Sequence, residues 1–124
     1  MALKLTCPQL EPEDGFVHVH VAGAITTYDF QGDPINPLER LLGVNWNARR
    51  LLLDFDEVPT IDSAGIGWLI ASNKQCKNGG GQLAVHSIQP AVLQMLKILR
   101  IDKLLPLAAD AAAARAALAG PSPA

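Results

Sequence analysis

The stretch RRLLLDFDEVPTIDSAGIG, residues 49–67, joins a continuous apolar run to a polar loop and then to the start of a helix. The run at 51–53 predicts a central strand buried on both faces, which is typical of a parallel sheet. Asp62 or Ser63 is predicted to cap the helix, because a side-chain oxygen there accepts a first-turn N–H group. Gly65 and Gly67 follow directly, although each costs a helix interior about 1 kcal/mol relative to alanine.

The segments before this stretch predict an antiparallel hairpin and a short helix. Residues 15–23 alternate as in a half-buried strand, and a shorter strand is predicted over 2–7. The two sides of the longer strand carry Val17, Val19 and Val21 on one face and His18 and His20 on the other. A polar turn over 8–15 joins the strands, and 24–37 is predicted to be irregular. Asn36, Pro37 and Gly43 mark the cap, first residue and stop of a helix, whose apolar face is Leu38, Leu41 and Leu42.

The segments after this stretch alternate between helices and strands. The predicted elements are a helix from Ser63 to the KNGGG stop at 77–81, a strand over 82–87, a helix opened by Pro90, a strand over 103–107 with Pro106 indicating a sheet edge, and an alanine-rich helix ended by Gly120. The first of these helices carries Ile66, Leu69, Ile70 and Asn73 at helical spacing, and the second has an apolar face of Val92, Leu93, Leu96 and Leu99.

This order of elements, β-β-α-β-α-β-α-β-α, predicts an α/β fold. We expect a mixed, mostly parallel sheet with an N-terminal antiparallel hairpin, covered by about four helices. The 124 residues fit a single domain, which we place at 1–119, with a disordered tail over 120–124.

Composition excludes several classes of function. The net charge is −2 and the Lys and Arg residues are scattered, which argues against a nucleic-acid partner. Cys7 and Cys76 are far apart and suggest free thiols in a reducing compartment. No signal peptide and no bilayer-length apolar stretch is recognised. We therefore expect a cytoplasmic protein without direct membrane insertion.

Residues 49–119 resemble the STAS domain family and, within it, the bacterial anti-sigma-factor antagonists. The resemblance rests on Asp54, Ile61, the string DSAGIG at 62–67, the glycine turn at 79–81, and Pro90-Ala91-Val92 with Leu96. Agreement is weaker over HVHVAGAI at 18–25. The family resemblance implies a STAS domain that binds proteins. The sequence has no recognisable phosphate-binding loop and no catalytic pair, so we predict that the protein is not an enzyme and expect no cofactor and no metal.

The resemblance also implies a phosphorylation switch. Ser63 occupies the position of the phosphoacceptor, which in the family is modified by a serine-kinase anti-sigma factor of the histidine-kinase-like ATPase fold. The unphosphorylated antagonist binds that anti-sigma factor, phosphorylation releases it, and a PP2C-type phosphatase resets the switch. The partner-binding residues implied by position are Asp62, Ala64, Gly65, Ile66, Gly67 and Trp68.

Three features depart from the family pattern. The second strand usually ends in an aspartate, whereas this chain has GAIT at 23–26, with Asp29 a candidate substitute. The segment after it is irregular, and Trp68 stands where a smaller aliphatic residue is usual. The missing aspartate favours a second hypothesis, a non-switching STAS subunit of a signalling scaffold or lipid-transport complex, whereas the intact Asp-Ser-Ala-Gly at 62–65 favours the phosphorylation switch.

Other chemistry-bearing residues have simpler interpretations. His18 and His20 have metal-capable spacing, but a solvent-facing pair is preferred. Cys76 is interpreted as a packing residue and not a nucleophile, and Asp54 with Asp56 as loop-capping acids and not metal ligands. Trp46 and Trp68 are either surface anchors or buried residues. His86 is taken as an ordinary strand residue.

A third hypothesis is a nucleotide-binding or nucleotide-hydrolysing protein. Its only support is the glycine-rich string NGGGQ at 78–82, which lacks the Gly-Lys-Ser/Thr of a phosphate-binding loop and is predicted to be a turn.

Overall fold

A five-stranded mixed sheet forms the centre of the protein, whose computed structural model describes residues 4–7, 15–25 and 36–119. The strands are β1 (Lys4–Thr6), β2 (Phe16–Ala22), β3 (Arg50–Glu57), β4 (Gln82–His86) and β5 (Leu107–Ala108). They lie in the order β1-β2-β3-β4-β5, with β1 antiparallel to β2 and the other pairs parallel. The predicted fold class and its N-terminal hairpin are confirmed.

Within the described residues, four α-helices alternate with these strands. They are α1 (Pro37–Leu42), α2 (Ser63–Gly79), α3 (Pro90–Ile98) and α4 (Ala111–Ala119). Asn36 caps α1 by accepting a hydrogen bond from the Leu38 N–H at 2.9 Å. Helix α2 ends at Gly80, whose left-handed φ of 88° suits glycine because a Cβ would be strained there. The predicted start and stop signals therefore act as expected.

The sheet buries both faces, and this arrangement explains the apolar run at 51–53. Leu51 and Leu53 face a core shared with α1, α2 and α3, whereas Leu52 packs in a smaller cluster with α4. All three leucines have no exposed surface. We call the side covered by α1, α2 and α3 the front face and the side covered by α4 the back face. A strand between two helical layers requires apolar residues on both of its faces, as at 51–53 of β3.

The last of the predicted strands is largely wrong. The strand predicted over 103–107 is replaced by a 3₁₀ turn, Ile101–Lys103, and pairing with β4 involves only Leu107–Ala108. The carbonyl of Ile101 accepts from the N–H groups of Leu104 and Leu105, which turns the chain before it can extend. Pro106 has no N–H to donate, and its carbonyl accepts from Val85 at this sheet edge.

Two apolar side chains predicted on helical apolar faces are instead exposed. Ile70 on α2 is 39% exposed and Leu99, just after α3, is 51% exposed. The other members of those two faces, including the polar Asn73, are buried or half-buried. The apolar periodicity predicted both helices correctly, but on each of them it assigned one exposed residue to the buried face.

Several predictions concern residues outside the described part of the chain. These are residues 2–3 of the first strand, most of the turn at 8–15, most of the irregular segment at 24–37, Asp29, and the tail at 120–124. The predicted domain limits of 1–119 stay a prediction. No helix among the described residues is both long enough and apolar enough to cross a bilayer.

Candidate functional site at the carboxyl edge of the sheet

The loop between β3 and α2 is pinned to the chain that follows β2. Ile25 and Ile61 form an isolated parallel bridge, in which the Ile25 N–H donates to the Thr60 carbonyl and the Asp62 N–H donates to the Ile25 carbonyl. These two hydrogen bonds measure 3.1 and 3.0 Å. Both isoleucines are buried, with 0% and 1% exposure. The start of α2 is therefore held at the carboxyl edge of the sheet, where parallel sheets present their functional loops.

Asp62 is the N-cap of α2, which confirms one of the two predicted caps. Its carboxylate accepts from the N–H groups of Ala64 and Gly65 at 3.0 and 3.1 Å, and its carbonyl accepts from the Ile66 N–H at 2.9 Å. Two of the N–H groups that a free helix start would offer to an anion are thus already bonded to Asp62.

Ser63 is the first residue of α2, and it is exposed. It forms no hydrogen bond through its hydroxyl to any residue of the described part of the chain. A hydroxyl in this position is accessible to another protein. The structure therefore leaves the predicted phosphoacceptor open to modification, and its phosphorylation stays a prediction.

The two glycines of the DSAGIG string have different structural reasons. A Cβ on Gly65 would lie 2.5 Å from Ile61 Cγ1, 2.7 Å from Ile25 Cγ2 and 2.7 Å from the Ile25 carbonyl oxygen. Gly65 therefore lets α2 approach the Ile25–Ile61 bridge closely. A Cβ on Gly67 would meet nothing within 4 Å, and Gly67 is exposed. Only Gly67 keeps the outer surface beside Ser63 free of a side chain.

Trp68 belongs to a buried hydrogen-bond network centred on Asn36. Its Nε1 donates to Asn36 Oδ1 at 2.9 Å, and Asn36 Nδ2 donates to Ser72 Oγ at 2.9 Å. Trp68 is 7% exposed and Ser72 is fully buried. Trp46 is also buried, so burial is the correct alternative for both tryptophans. The sequence did not reveal Asn36 as more than a helix cap, because its partners lie more than 30 residues away.

The predicted partner-binding residues divide by burial. Gly67 is exposed and Asp62 and Ala64 are half-buried, whereas the three others, Gly65, Ile66 and Trp68, are buried. The buried residues support the helix start from beneath. Contact of any of these residues with a partner stays a prediction.

An acidic rim borders this helix start, and we define it as Asp54, Asp56, Glu57 and Asp62. His20 bridges two of its members, with Nε2 2.6 Å from Glu57 Oε2 and Nδ1 3.3 Å from Asp54 Oδ2. Asp54 Oδ1 also accepts from the Asp56 N–H at 2.9 Å. The signal available in the sequence was that His20 and Asp54 both lie near the carboxyl ends of strands that pair in parallel.

The environment of His20 differs from that of a histidine in a metal pair. Both ring nitrogens face carboxylates, and the described residues hold no group of three His, Cys, Asp or Glu suited to a metal ion. The hydrogen bond to Glu57 is the largest cause of a His20 pKa above its ordinary 6.5. Partial burial opposes this rise, and Asp54 adds to it. The imidazolium form therefore neutralises part of the acidic rim.

His86 and Cys76 are perturbed in the direction that burial dictates. Burial lowers the pKa of His86, whose Nδ1 lies 2.8 Å from Ser87 Oγ, so the neutral imidazole is favoured. Burial raises the pKa of the Cys76 thiol to about 11. A thiol of this kind is a poor source of thiolate, which agrees with the packing interpretation of Cys76.

We expect opposite pH dependences for variants of these two histidines. Because its pKa is raised in the folded state, His20 stabilises the fold fully below pH 6.5, and this contribution is lost as pH rises through the raised pKa. The lowered His86 pKa has the reverse effect, because its contribution is present above 6.5 and is lost as pH falls through the lowered value. The difference in the free energy of unfolding between wild type and His20→Gln should therefore shrink from about pH 5.5 to about pH 8. The same difference between wild type and His86→Gln should grow over this range.

Urea unfolding at both pH values measures these differences in the free energy of unfolding. The two variants serve as controls for each other, because constant packing losses cancel in the comparison between pH values. Parallel pH profiles for the two variants would contradict the assigned environments.

The five-stranded sheet, with three helices on its front face and one on its back face, defines a small α/β domain with an exposed serine at its carboxyl edge. A family model described as STAS domain matches residues 8–114. Because this match covers most of the 124 residues, the chain belongs to the STAS domain family.

Solved structures of similar fold include anti-sigma-factor antagonists. One from Mycobacterium paratuberculosis is 24% identical over 93% of this chain and 92% of its own, with a TM-score of 0.65. A STAS domain protein from Planctomyces limnophilus, also described as an anti-sigma-factor antagonist, is 20% identical over 96% of this chain and 99% of its own, with a TM-score of 0.63. SpoIIAA in its unphosphorylated form is 13% identical over 87% of this chain and 89% of its own, with a TM-score of 0.55. At these identities the likeness concerns the fold.

Proposed function

We propose that this chain is an anti-sigma-factor antagonist, a binding protein whose unphosphorylated form binds a serine-kinase anti-sigma factor. In this proposal the kinase has the histidine-kinase-like ATPase fold, it phosphorylates Ser63, and a PP2C-type phosphatase removes the phosphate. The observation that carries the proposal is the exposed Ser63 at the first position of α2. Its setting, with Asp62 as cap and an open Gly67, leaves room for a partner's active site.

The bonding of Asp62 suggests how a phosphate would act. The N–H groups of Ala64 and Gly65 already donate to the Asp62 carboxylate, so these two groups are not free to bind a phosphate on Ser63. It would instead point toward a docked partner. Phosphorylation would therefore change binding directly and would leave the fold in place.

The electrostatic cost is large enough for a switch. A phosphate adds about −1.5 to −2 charge beside a carboxylate. Repulsion between the phosphate and Asp62 is present in the free protein too, so the change in affinity depends on the partner: an acidic group of the partner about 5 Å from the phosphate would be repelled by about 3 kcal/mol at an effective dielectric constant of about 20, and salt lowers this value at an exposed site. A remainder of about 1.4 kcal/mol still weakens binding tenfold. A phosphate in the centre of an interface is thus sufficient to release the partner.

A second candidate function is a non-switching STAS subunit of a signalling scaffold or lipid-transport complex. It is favoured by one observation, the absence of an aspartate at the end of the second strand. Thr26 stands in the sequence where relatives have this aspartate, and the residue before it, Ile25, forms the buried bridge to Ile61. The acidic residue that relatives often place near the serine therefore has no counterpart in the sequence at 23–26.

The first test is intact-mass spectrometry with site mapping on the protein purified from its native cells during growth and stress. We expect a fraction heavier by one phosphate, with the phosphate on Ser63 and absent from Ser63→Ala. Ser87→Ala is the matched control, because Ser87 follows β4 at the same edge of the sheet and should not alter the modification. A single unmodified mass under all conditions would favour the non-switching subunit.

The second test measures binding of the purified anti-sigma factor from the same genome by titration calorimetry. Phosphorylation of Ser63 is expected to weaken binding at least about tenfold, as argued from the charge. Ser63→Ala should bind like the unphosphorylated protein, since a methyl group adds no charge. Equal affinities for the phosphorylated and unphosphorylated forms would reject the switch.

A further inference from the structure

A second exposed surface lies at the other end of the helical layer. We define the α3 patch as the exposed apolar side chains Met95, Ile98, Leu99 and Leu104. Ile98 is 70% exposed, which is unusual for a large aliphatic side chain in a cluster. Met95, Ile98 and Leu99 are spaced i, i+3 and i+4, so they form one continuous ridge along α3. Such a ridge is the surface that packs against another helix.

The α3 patch is separate from Ser63. Helices that join parallel strands run back from the carboxyl edge to the amino edge of the sheet. The start of α3 at Pro90 therefore lies at the same edge as Ser63, and its end near Ile98 lies at the opposite edge. The Asn73 side chain donates to the Leu104 carbonyl at 3.0 Å, which ties the patch to the middle of α2 and keeps it rigid.

Positive charges surround the patch. Lys97, Arg100 and Lys103 are all exposed, and Asp102 is the only acid between 95 and 104. None of the three cations forms an ion pair with a residue in the described ranges. Among the described residues, the acidic rim lies at the other edge of the sheet from these three cations. A partner for the α3 patch should therefore combine apolar and acidic groups.

We propose that the α3 patch docks an amphipathic helix of another protein, with an apolar stripe flanked by Asp or Glu. A helix matches the i, i+3, i+4 ridge, and its acidic flanks match the three cations. An anionic lipid surface suits the same charges less well, because the ridge is short and Asp102 lies within it. Docking at this edge is independent of phosphorylation at Ser63, so one molecule can hold two partners at once.

The test uses a synthetic helical peptide with leucines on one face and glutamates on both flanks. The peptide is about 18 residues long, because isolated helices below about 12–15 residues are marginal in water. We expect amide NMR shifts of the full chain confined to α3 and the following turn, and binding that weakens as salt rises. Ile98→Glu should weaken binding at least about tenfold, since it places a charge in the apolar ridge. Ser63→Glu should leave binding unchanged.

Val44→Glu is the matched control, because Val44 is 78% exposed but lies outside the patch and its cations. It should bind the peptide like wild type. A peptide with lysines in place of glutamates should fail to bind wild type and should bind Lys97→Glu/Lys103→Glu. Failure of the glutamate peptide to bind, or binding insensitive to Ile98→Glu, would overturn the proposal. Ile98-dependent binding to phosphatidylglycerol vesicles without peptide binding would overturn it in favour of a membrane surface.

Discussion

Gly65→Ala is expected to destabilise the fold by about 1–3 kcal/mol, the range for overpacking a filled core. The added methyl group would clash with Ile61, with the Ile25 side chain and with the Ile25 carbonyl oxygen, all within 2.7 Å. The carbonyl is the decisive contact, because it belongs to the bridge that pins the helix start and accepts from the Asp62 N–H. Relief requires α2 to move away from the sheet.

Gly67→Ala is the matched control, two positions further along the same helix. A Cβ there meets nothing within 4 Å, so only the better helix propensity of alanine remains. We expect this variant to gain about 0.5–1 kcal/mol. Urea unfolding of both variants measures the difference in the free energy of unfolding. Equal effects of the two substitutions would contradict the close approach at Gly65.

The Gly65→Ala variant also separates stability from binding. If the helix start shifts, Ser63 moves with it, and affinity for an anti-sigma factor should fall even where the protein remains folded. Gly67→Ala adds a methyl group to the outer surface and tests whether a partner needs that surface flat. Loss of binding with gained stability in Gly67→Ala would place Gly67 in the interface.

Asn36→Ala is expected to cost about 2–4 kcal/mol, because one side chain serves three groups. Loss of a helix cap costs about 1 kcal/mol. The indole N–H of Trp68 and the buried hydroxyl of Ser72 also lose the Asn36 amide, and a buried polar group left without its partner costs about 1–3 kcal/mol. Helix α1 would then lose both its cap and its link to α2.

Two controls accompany this prediction. Asn36→Asp keeps an acceptor for Leu38 and Trp68, and the Ser72 hydroxyl can donate to its second oxygen, so most of the stability should remain. Asn45→Ala removes an asparagine that precedes the 3₁₀ turn Trp46–Ala48 without a side-chain cap, and it should change stability by less than about 0.5 kcal/mol. The indole N–H resonance of Trp68 reports the bond directly. An Asn36→Ala protein as stable as Asn45→Ala would show that the network contributes little.

Local sequence patterns were sufficient for most of the secondary structure. The alternation in β2, the apolar run in β3, the caps Asn36 and Asp62, and the stop at Gly80 act through neighbours within a few residues. The exposed position of Ser63 also follows from its place beside a helix cap. The last strand was misplaced because Pro106 and the 3₁₀ turn before it respond to hydrogen bonds that periodicity does not encode.

The sequence by itself determined the alternation of strands and helices, the mixed sheet and the position of the serine at a helix start, because each depends on local spacing and apolar periodicity. Only the tertiary structure decided that Gly65 fits against Ile25 and Ile61, that Asn36 joins Trp68 to Ser72, and that His20 bridges Asp54 and Glu57. Apart from the pair Gly65 and Ile61, these contacts join residues about 30 to 40 positions apart across crossover connections. Their partners are set by strand order and register, which no single stretch of the chain contains.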